Sequence, residues 1–287
     1  MIDVRYNRFN YKALLGNNMF QYCLGRILAE RLGFQLRADG IPGFPNTAQS
    51  VSGHAYDGPE QRLTGQIVDL EALLADPTPR RIVLEGWFQR YPYYQPYRDQ
   101  IRQWLAFNPS IRRPATPPDV VVHVRRTDYV GVGWALPFSF YEEALERLVP
   151  KGGRVWILTD DRHDPFFRRF KKWRPVFTAG TAQEDLLFMT HARRIVMSQS
   201  TFSWWPTFLG DPDVVVCPVP SFGAWSEQGE ARDAALIERD RFVCIECREP
   251  YRPSGAEARY QSRRLWKRRV VLAINRRLGL SLPEPPS

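Results

Sequence analysis

Cysteine is scarce, at four in 287 residues (Cys23, Cys217, Cys244, Cys247), which excludes the disulfide framework of a small secreted fold. The lone C-x-x-C, Cys244 to Cys247, has no second ligand pair at zinc spacing, so packing is its expected role. Long apolar runs are missing as well. The longest are about five residues, as at 270–274, against the ~18–20 of a spanning helix. Charges run through the first sixteen residues, where a signal peptide needs an apolar core. The expected location is the cytoplasm, with peripheral attachment to the inner face of the membrane as the extension. The chain also has no G-x-x-x-x-G-K-[ST], no G-x-G-x-x-G, no H-E-x-x-H and no G-x-S-x-G. Its only D-x-D, Asp211-Pro-Asp213, is stiffened by proline and reads as a turn.

Apolar residues make 44% and charged residues 25%, the balance of a globular protein with a core. The net charge is +9, and it is not spread evenly. Residues 259–277 hold eight Lys/Arg and no Asp/Glu, so the body without them is close to neutral, at roughly +1.

The pattern along the chain is α/β. GNNMFQYCLGRILAERLGF at 16–34 has apolar residues at helical spacing behind a glycine-led turn. Residues 39–66 read as a long loop, 67–75 as a helix, 81–85 as a buried strand and 97–107 as a helix. NPSIRRPATPP at 108–118 holds four prolines in eleven positions and marks a domain boundary. Beyond it, strands at 119–124, 154–158, 176–177, 194–197 and 214–217 alternate with helices at 139–148, 165–173, 183–192 and 202–209. Ser139 to Glu142 fits a capping box for the first of these helices. That alternation predicts a parallel, doubly wound sheet. The expected domains are 1–113, 114–250 and a basic tail at 251–287.

Ligands of such sheets lie outside the carboxyl ends of the strands. Arg125, Arg126, Thr127 and Asp128 follow one strand, Thr159, Asp160 and Asp161 the next, and Ser198, Gln199, Ser200 and Thr201 a third, at a helix start. Arginine forks grip phosphate oxygens, and free amides at a helix start favour anions. Together these residues describe a diphosphate site better than a metal site. Each has a plainer reading taken singly: a solvated ion pair, a turn cap, an N-cap, and for His123 a satisfied core histidine.

Four blocks carry a family resemblance: GNNMFQY at 16–22, EGWFQ at 85–89, HVRRTDYV at 123–130 and STFSWWPTFLG at 200–210. In this order they resemble the α-1,2-fucosyltransferase family. HVRRTD is also similar to the core α-1,6-fucosyltransferases and the rhizobial Nod-factor fucosyltransferases. The resemblance implies a GT-B-like fold of two facing Rossmann-like domains with parallel sheets. It implies inverting transfer of L-fucose from GDP-fucose, as donor substrate, to a galactoside of a bacterial surface glycan, with no required metal and no cofactor. Carried over by motif, Arg125 would grip the β-phosphate with Arg126 in support, and His123 and Asp185 would face guanine and ribose. Ser200 and Thr201 would bond the diphosphate, with Asp160, Asp161, Ser198 and Phe202 completing the donor site. Asn17 and Gln21 would close over donor or acceptor, and Asp128 is the candidate base. Two positions depart from the patterns. Gly133 stands where the α-1,6 enzymes carry a Glu, which favours the α-1,2 reading, and Asn18 replaces the usual Gln of the glycine turn.

In the tail, Leu265, Trp266, Val270, Ile274 and Leu278 fall at helical spacing among arginines. Such a helix suits an anionic bilayer surface next to a lipid-linked acceptor, or packs back on the first domain. Rival functions are transfer of another GDP-sugar, an α-1,6-type linkage, or non-enzymatic polyanion binding through the tail. The near-neutral body argues against a nucleic-acid partner.

Overall fold

The computed structural model describes residues 1–6, 8–9, 12–49, 51–56, 58–65, 67–220, 241–247 and 249–278. The strands are β1 (Ile2–Val4), β2 (Arg8–Phe9), β3 (Lys12–Ala13), β4 (Leu36–Arg37), β5 (Glu60–Leu63), β6 (Arg81–Leu84), β7 (Val120–Val124), β8 (Val155–Thr159), β9 (Val176–Phe177), β10 (Arg194–Val196), β11 (Val214–Pro220) and β12 (Phe242–Cys247). The α-helices are α1 (Leu15–Leu32), α2 (Leu70–Ala75), α3 (Tyr91–Tyr94), α4 (Arg98–Trp104), α5 (Thr127–Gly131), α6 (Phe138–Leu148), α7 (Ala182–Thr190), α8 (Thr201–Leu209) and α9 (Gly255–Leu278).

Two sheets organise the chain, both parallel throughout. The first has the order β4-β1-β6-β5 and the second β12-β11-β10-β7-β8-β9. The last strand of the first sheet ends at Leu84 and the first of the second begins at Val120, so the proline-rich 108–118 lies between them. Counted along the chain, the second sheet runs 3-2-1-4-5-6, the doubly wound order whose crevice opens where the winding reverses. That point lies between β7 and β10. Val120, Val121 and Val122 pair with Arg194, Ile195 and Val196 there, and β7 is buried along its whole length, as a central parallel strand requires.

One aromatic cluster crosses between the halves. Phe20 of α1 and Tyr94 of α3 pack with Trp204, Trp205 and Phe208 of α8; the Phe20 and Trp205 ring centroids are 4.6 Å apart. All five are buried, each removing roughly 4–6 kcal/mol worth of apolar area from water. The far end of α8 is tied down by α4. Arg98 donates to the Phe208 and Gly210 carbonyls at 2.8 Å each, and Arg102 to Asp211 at 2.6 Å. Asp213 pairs with Arg193. The D-x-D is thus a turn held by arginines.

Several expectations are corrected. The 39–66 loop contains edge strand β5, whose Glu-Gln-Arg-Leu sequence is polar because it is largely exposed. The 67–75 helix starts only at Leu70, where the Asp69 side chain accepts from the Ala72 amide. Helix α6 starts at Phe138 after Pro137 with no side-chain cap, so Ser139 lies inside it. The true capping box is Thr181 with Glu184, opening α7. Residues 165–173 form a 3₁₀ helix capped by Asp164. Strand β12 carries the C-x-x-C, unanticipated from sequence. Gly16 sits within the first turn of α1 and has no positive φ to adopt. The tail helix starts at Gly255 and packs on the second half rather than the first, and its continuation at 279–282 lies outside the described residues.

Candidate functional site

The site is built where β7 and β10 end. His123, in β7, is 4% exposed and its Nδ1 lies 2.7 Å from the Ser198 hydroxyl just past β10. The Phe202 ring stands 5.1 Å from the imidazole. Burial, reinforced by the nearby Arg125 charge, pushes the His123 pKa down to about 3, so this histidine is neutral at any working pH. Arg125 follows at the rim with its side chain 30% exposed. Its guanidinium pairs with Asp128 at 2.9 Å and Asp160 at 3.2 Å and lies 5.5 Å from the Tyr129 ring centroid. Tyr129 donates to the Gln199 carbonyl at 2.9 Å. Asp160 also accepts from the Arg126 amide at 2.8 Å and from the Thr127 hydroxyl. The 125–129 turn is therefore fixed on two sides, to β8 through Asp160 and to the β10 end through Tyr129.

Helix α8 begins beside it. Ser200 is the N-cap, accepting from the Phe202 amide, and the helix start leaves amides and a partial positive charge at the crevice. Thr201 donates to Asn17 Oδ1 at 3.0 Å, and Gln89 Nε2 donates to the same oxygen at 2.9 Å. Trp205 Nε1 donates to the Gly16 carbonyl at 2.8 Å. A Cβ on Gly16 would stand 2.6 Å from Thr201 Oγ1 and 2.8 Å from the Thr201 backbone. Glycine is required there by close approach of two helix starts. All four sequence blocks thus meet: 16–22 with 200–210 and 85–89 through Asn17, and 123–130 with 198–202 through His123 and Tyr129. Within EGWFQ, Phe88 is buried with φ of +50°, a left-handed backbone that a side chain disfavours. Its carbonyl accepts from Tyr94 at 2.6 Å, and this conformation precedes Gln89.

Other expected donor groups stand elsewhere. Arg126 is 0% exposed; it donates to Asp164 at 2.9 Å and Tyr251 at 2.7 Å and lies 4.1 Å from the Phe166 ring centroid. A guanidinium so enclosed is not presented at the rim, so of the two expected arginines only Arg125 stands there. Its Nη1 is buried without a partner among the described residues. Asp161 is also 0% exposed and turned to α9, accepting from Tyr260 at 2.8 Å with Arg264 at 3.4 Å. Burial raises its carboxyl pKa. Gln21 is 0% exposed and donates to the Arg5 carbonyl at 2.9 Å, as part of the packing between α1 and β1. Asp185 lies in the first turn of α7 beside Gly180, beyond the end of β9 and two strands from the crevice. Burial pushes its pKa up to about 6. Near it α7 touches the first half, where Gln183 donates to the Pro42 carbonyl.

Sequence reasoning passed over Gln89 and Tyr129, although both stood inside quoted blocks, and Tyr251, whose partners are distant in sequence. A second opening lies at the carboxyl ends of β1 and β4, a cavity of about 500 Å³ lined by Arg5, Arg37, Asp39, Thr47 and Gln49 among others.

Residues 99–235 match the model of glycosyl transferase family 11. Among solved structures, the chain is similar to E. coli heptosyltransferase WaaC with ADP, at 10% identity over 85% of this chain and 92% of that one, with a TM-score of 0.46. E. coli ADP-heptose LPS heptosyltransferase II matches at 12% identity over 85% and 89%, TM-score 0.43. The iron-containing dodecameric glycosyltransferase TibC from enterotoxigenic E. coli H10407 matches at 16% over 76% of this chain, TM-score 0.39; the chain spans 58% of TibC's length. No curated protein matches.

Proposed function

We propose that this chain, whose residues 99–235 match the family 11 model, is a glycosyltransferase that transfers L-fucose from GDP-fucose to a galactoside hydroxyl with inversion, forming an α-1,2 linkage. The observation that carries the reading is Arg125, a part-exposed guanidinium at the reversal point of the second sheet where all four sequence blocks converge. In the reaction the acceptor oxygen attacks the anomeric carbon and the bond to the β-phosphate breaks. The negative charge that develops on the departing diphosphate is met by Arg125 and the start of α8, so no divalent ion is required. His123, kept neutral by burial beside Ser198, is the group offered to the guanosine. Asp128 is the proposed base. It now pairs with Arg125, and a diphosphate that engages the guanidinium would release the carboxylate to take the acceptor proton.

The acceptor side is the polar cavity at the ends of β1 and β4, joined to the donor side through α1: Asn17 bonds Thr201, and one turn on Gln21 bonds Arg5. A lipid-linked acceptor suits the tail. Leu265 and Trp266 are 49% and 65% exposed in a helix rich in arginine, a combination that binds anionic bilayer surfaces. No helix among the described residues is long and apolar enough to cross a membrane.

The test is incubation with a panel of GDP-sugars and galactoside acceptors, with the product linkage assigned by NMR. An α-1,2-fucosyl galactoside supports the reading. A preference for GDP-mannose, or another linkage, replaces it.

A further inference from the structure

We infer that the C-terminal helix α9 helps to aim Arg125, and that Tyr251 and Gln261 are positioning residues acting through Arg126 and Asp164. The catalytic part of this inference rests on the proposed role of Arg125 at the donor. The structural part stands alone.

The chain of contacts is continuous and largely buried. Gln261, in the second turn of α9, donates to Asp164 Oδ2 at 2.7 Å. The same oxygen accepts from Arg126 Nε at 2.9 Å. Asp164 is 2% exposed, and its other oxygen caps the 3₁₀ helix at the Phe166 amide. Tyr251 donates to Glu257 of α9 at 3.0 Å, accepts from Arg126 Nη2 at 2.7 Å, and places its ring 4.4 Å from the guanidinium. Glu257 is 1% exposed and pairs with Arg169 at 3.1 Å. One turn along, Tyr260 and Arg264 hold Asp161, next in sequence to Asp160.

Both chains end at the 125–128 turn. Arg126 is the residue after Arg125, and its amide and the Arg125 guanidinium share Asp160. Enclosure of Arg126 fixes the backbone from which Arg125 projects, while Asp160 fixes its side chain. Buried, charge-assisted bonds are the strongest of their kind, and misplacing a reacting group by about 1 Å can cost ~10²-fold in rate. The arginine pair thus divides its labour, Arg125 toward ligand and Arg126 toward the tail. The helix positions where Tyr260, Gln261 and Arg264 lie form one face; Ser262 and Trp266 fall on the opposite side.

The test compares full-length Tyr251→Phe, Gln261→Ala and the double variant with wild type and with an outer-face control, Ser262→Ala. Tyr251→Phe keeps the ring over Arg126 and removes only the hydroxyl. Hydrogen exchange is read at 125–131 against β7 and β10. Acting as a latch on residues 125–131, these contacts predict exchange there about tenfold faster in the double variant, with the strands and the control unchanged; unchanged exchange at 125–131 overturns the latch. Steady-state kinetics should show kcat for fucosyl transfer lowered about tenfold with a smaller change in donor KM. The double variant should weaken GDP binding in wild type but not further in an Arg125→Ala background. Faster exchange with kcat per folded enzyme intact, or equal weakening of GDP in both backgrounds, makes the contact merely structural and overturns the positioning role. If Arg125→Ala itself leaves GDP binding untouched while exchange responds, the donor reading falls and the latch remains.

Discussion

Gly16 shows how much a single missing methylene group decides. Its backbone takes no glycine-only conformation, yet any larger residue drives into the Thr201 backbone. Gly16→Ala is expected to destabilise the fold by about 1–3 kcal/mol through overpacking, lowering Tm by several degrees in calorimetry, and to weaken GDP binding by parting Thr201 from Asn17. His123 makes a different prediction. Folded, its imidazole holds no proton until about pH 3, whereas unfolded it titrates near 6.5. Between those values the unfolded chain takes up a proton that the folded one refuses, so His123 subtracts stability as pH falls below ~6.5 and has no such effect above it. Urea melts of wild type should lose up to about 2–3 kcal/mol more than His123→Gln between pH 7 and pH 4.5. Equal losses would show that the imidazole is not held neutral. At this scale the sequence was legible where strand ends set the position, at Arg125, Asp160 and Ser198. It could not separate Arg125 from Arg126, because which guanidinium is enclosed depends on Tyr251 and Asp164, remote residues that no local pattern links to it.

Among the elements, α8 has the most obligations. Its start faces the crevice, its middle supplies the aromatic seam with α1 and α3, and its end is held by Arg98 and Arg102 of α4. Pro206 lies inside it, six positions from the N-cap, and Gly210 closes it. Trp205→Phe keeps most of the seam and leaves the Gly16 carbonyl without its buried donor, a loss of about 1–3 kcal/mol, measurable as a lower urea midpoint at an unchanged slope. Strands β7, β8, β10 and β11 of the second sheet were legible as β-branched, buried runs, and β12 was not. In the first sheet β6 was legible as a buried apolar run, whereas β5 is an exposed polar edge and β4 is two residues long. The α7 cap was equally present in sequence, as Thr181-x-x-Glu184. Ser139 to Glu142 has the same pattern, but there Pro137 already starts the helix.

At the scale of the whole molecule, the two sheets are joined by a seam of side chains at their carboxyl ends, and the charge excess is confined to one helix. That helix is anchored by Tyr260, Gln261 and Arg264, and carries Trp266 outward. Wild type should co-sediment with vesicles containing 30% anionic lipid and not with neutral ones, binding should weaken as salt rises, and Trp266→Ser with Leu265→Ser should lower it severalfold. Binding to both vesicle types alike, or to RNA in preference, would contradict the membrane assignment. The account as a whole depends on Arg125, and its most direct test is fucosyl transfer by Arg125→Ala assayed in EDTA beside wild type, with folding checked by circular dichroism. The account predicts that wild type turns over in EDTA and that the folded variant loses about 10²–10³-fold in kcat. Turnover of the variant within tenfold of wild type, or wild-type activity that vanishes in EDTA and returns with manganese, would contradict it.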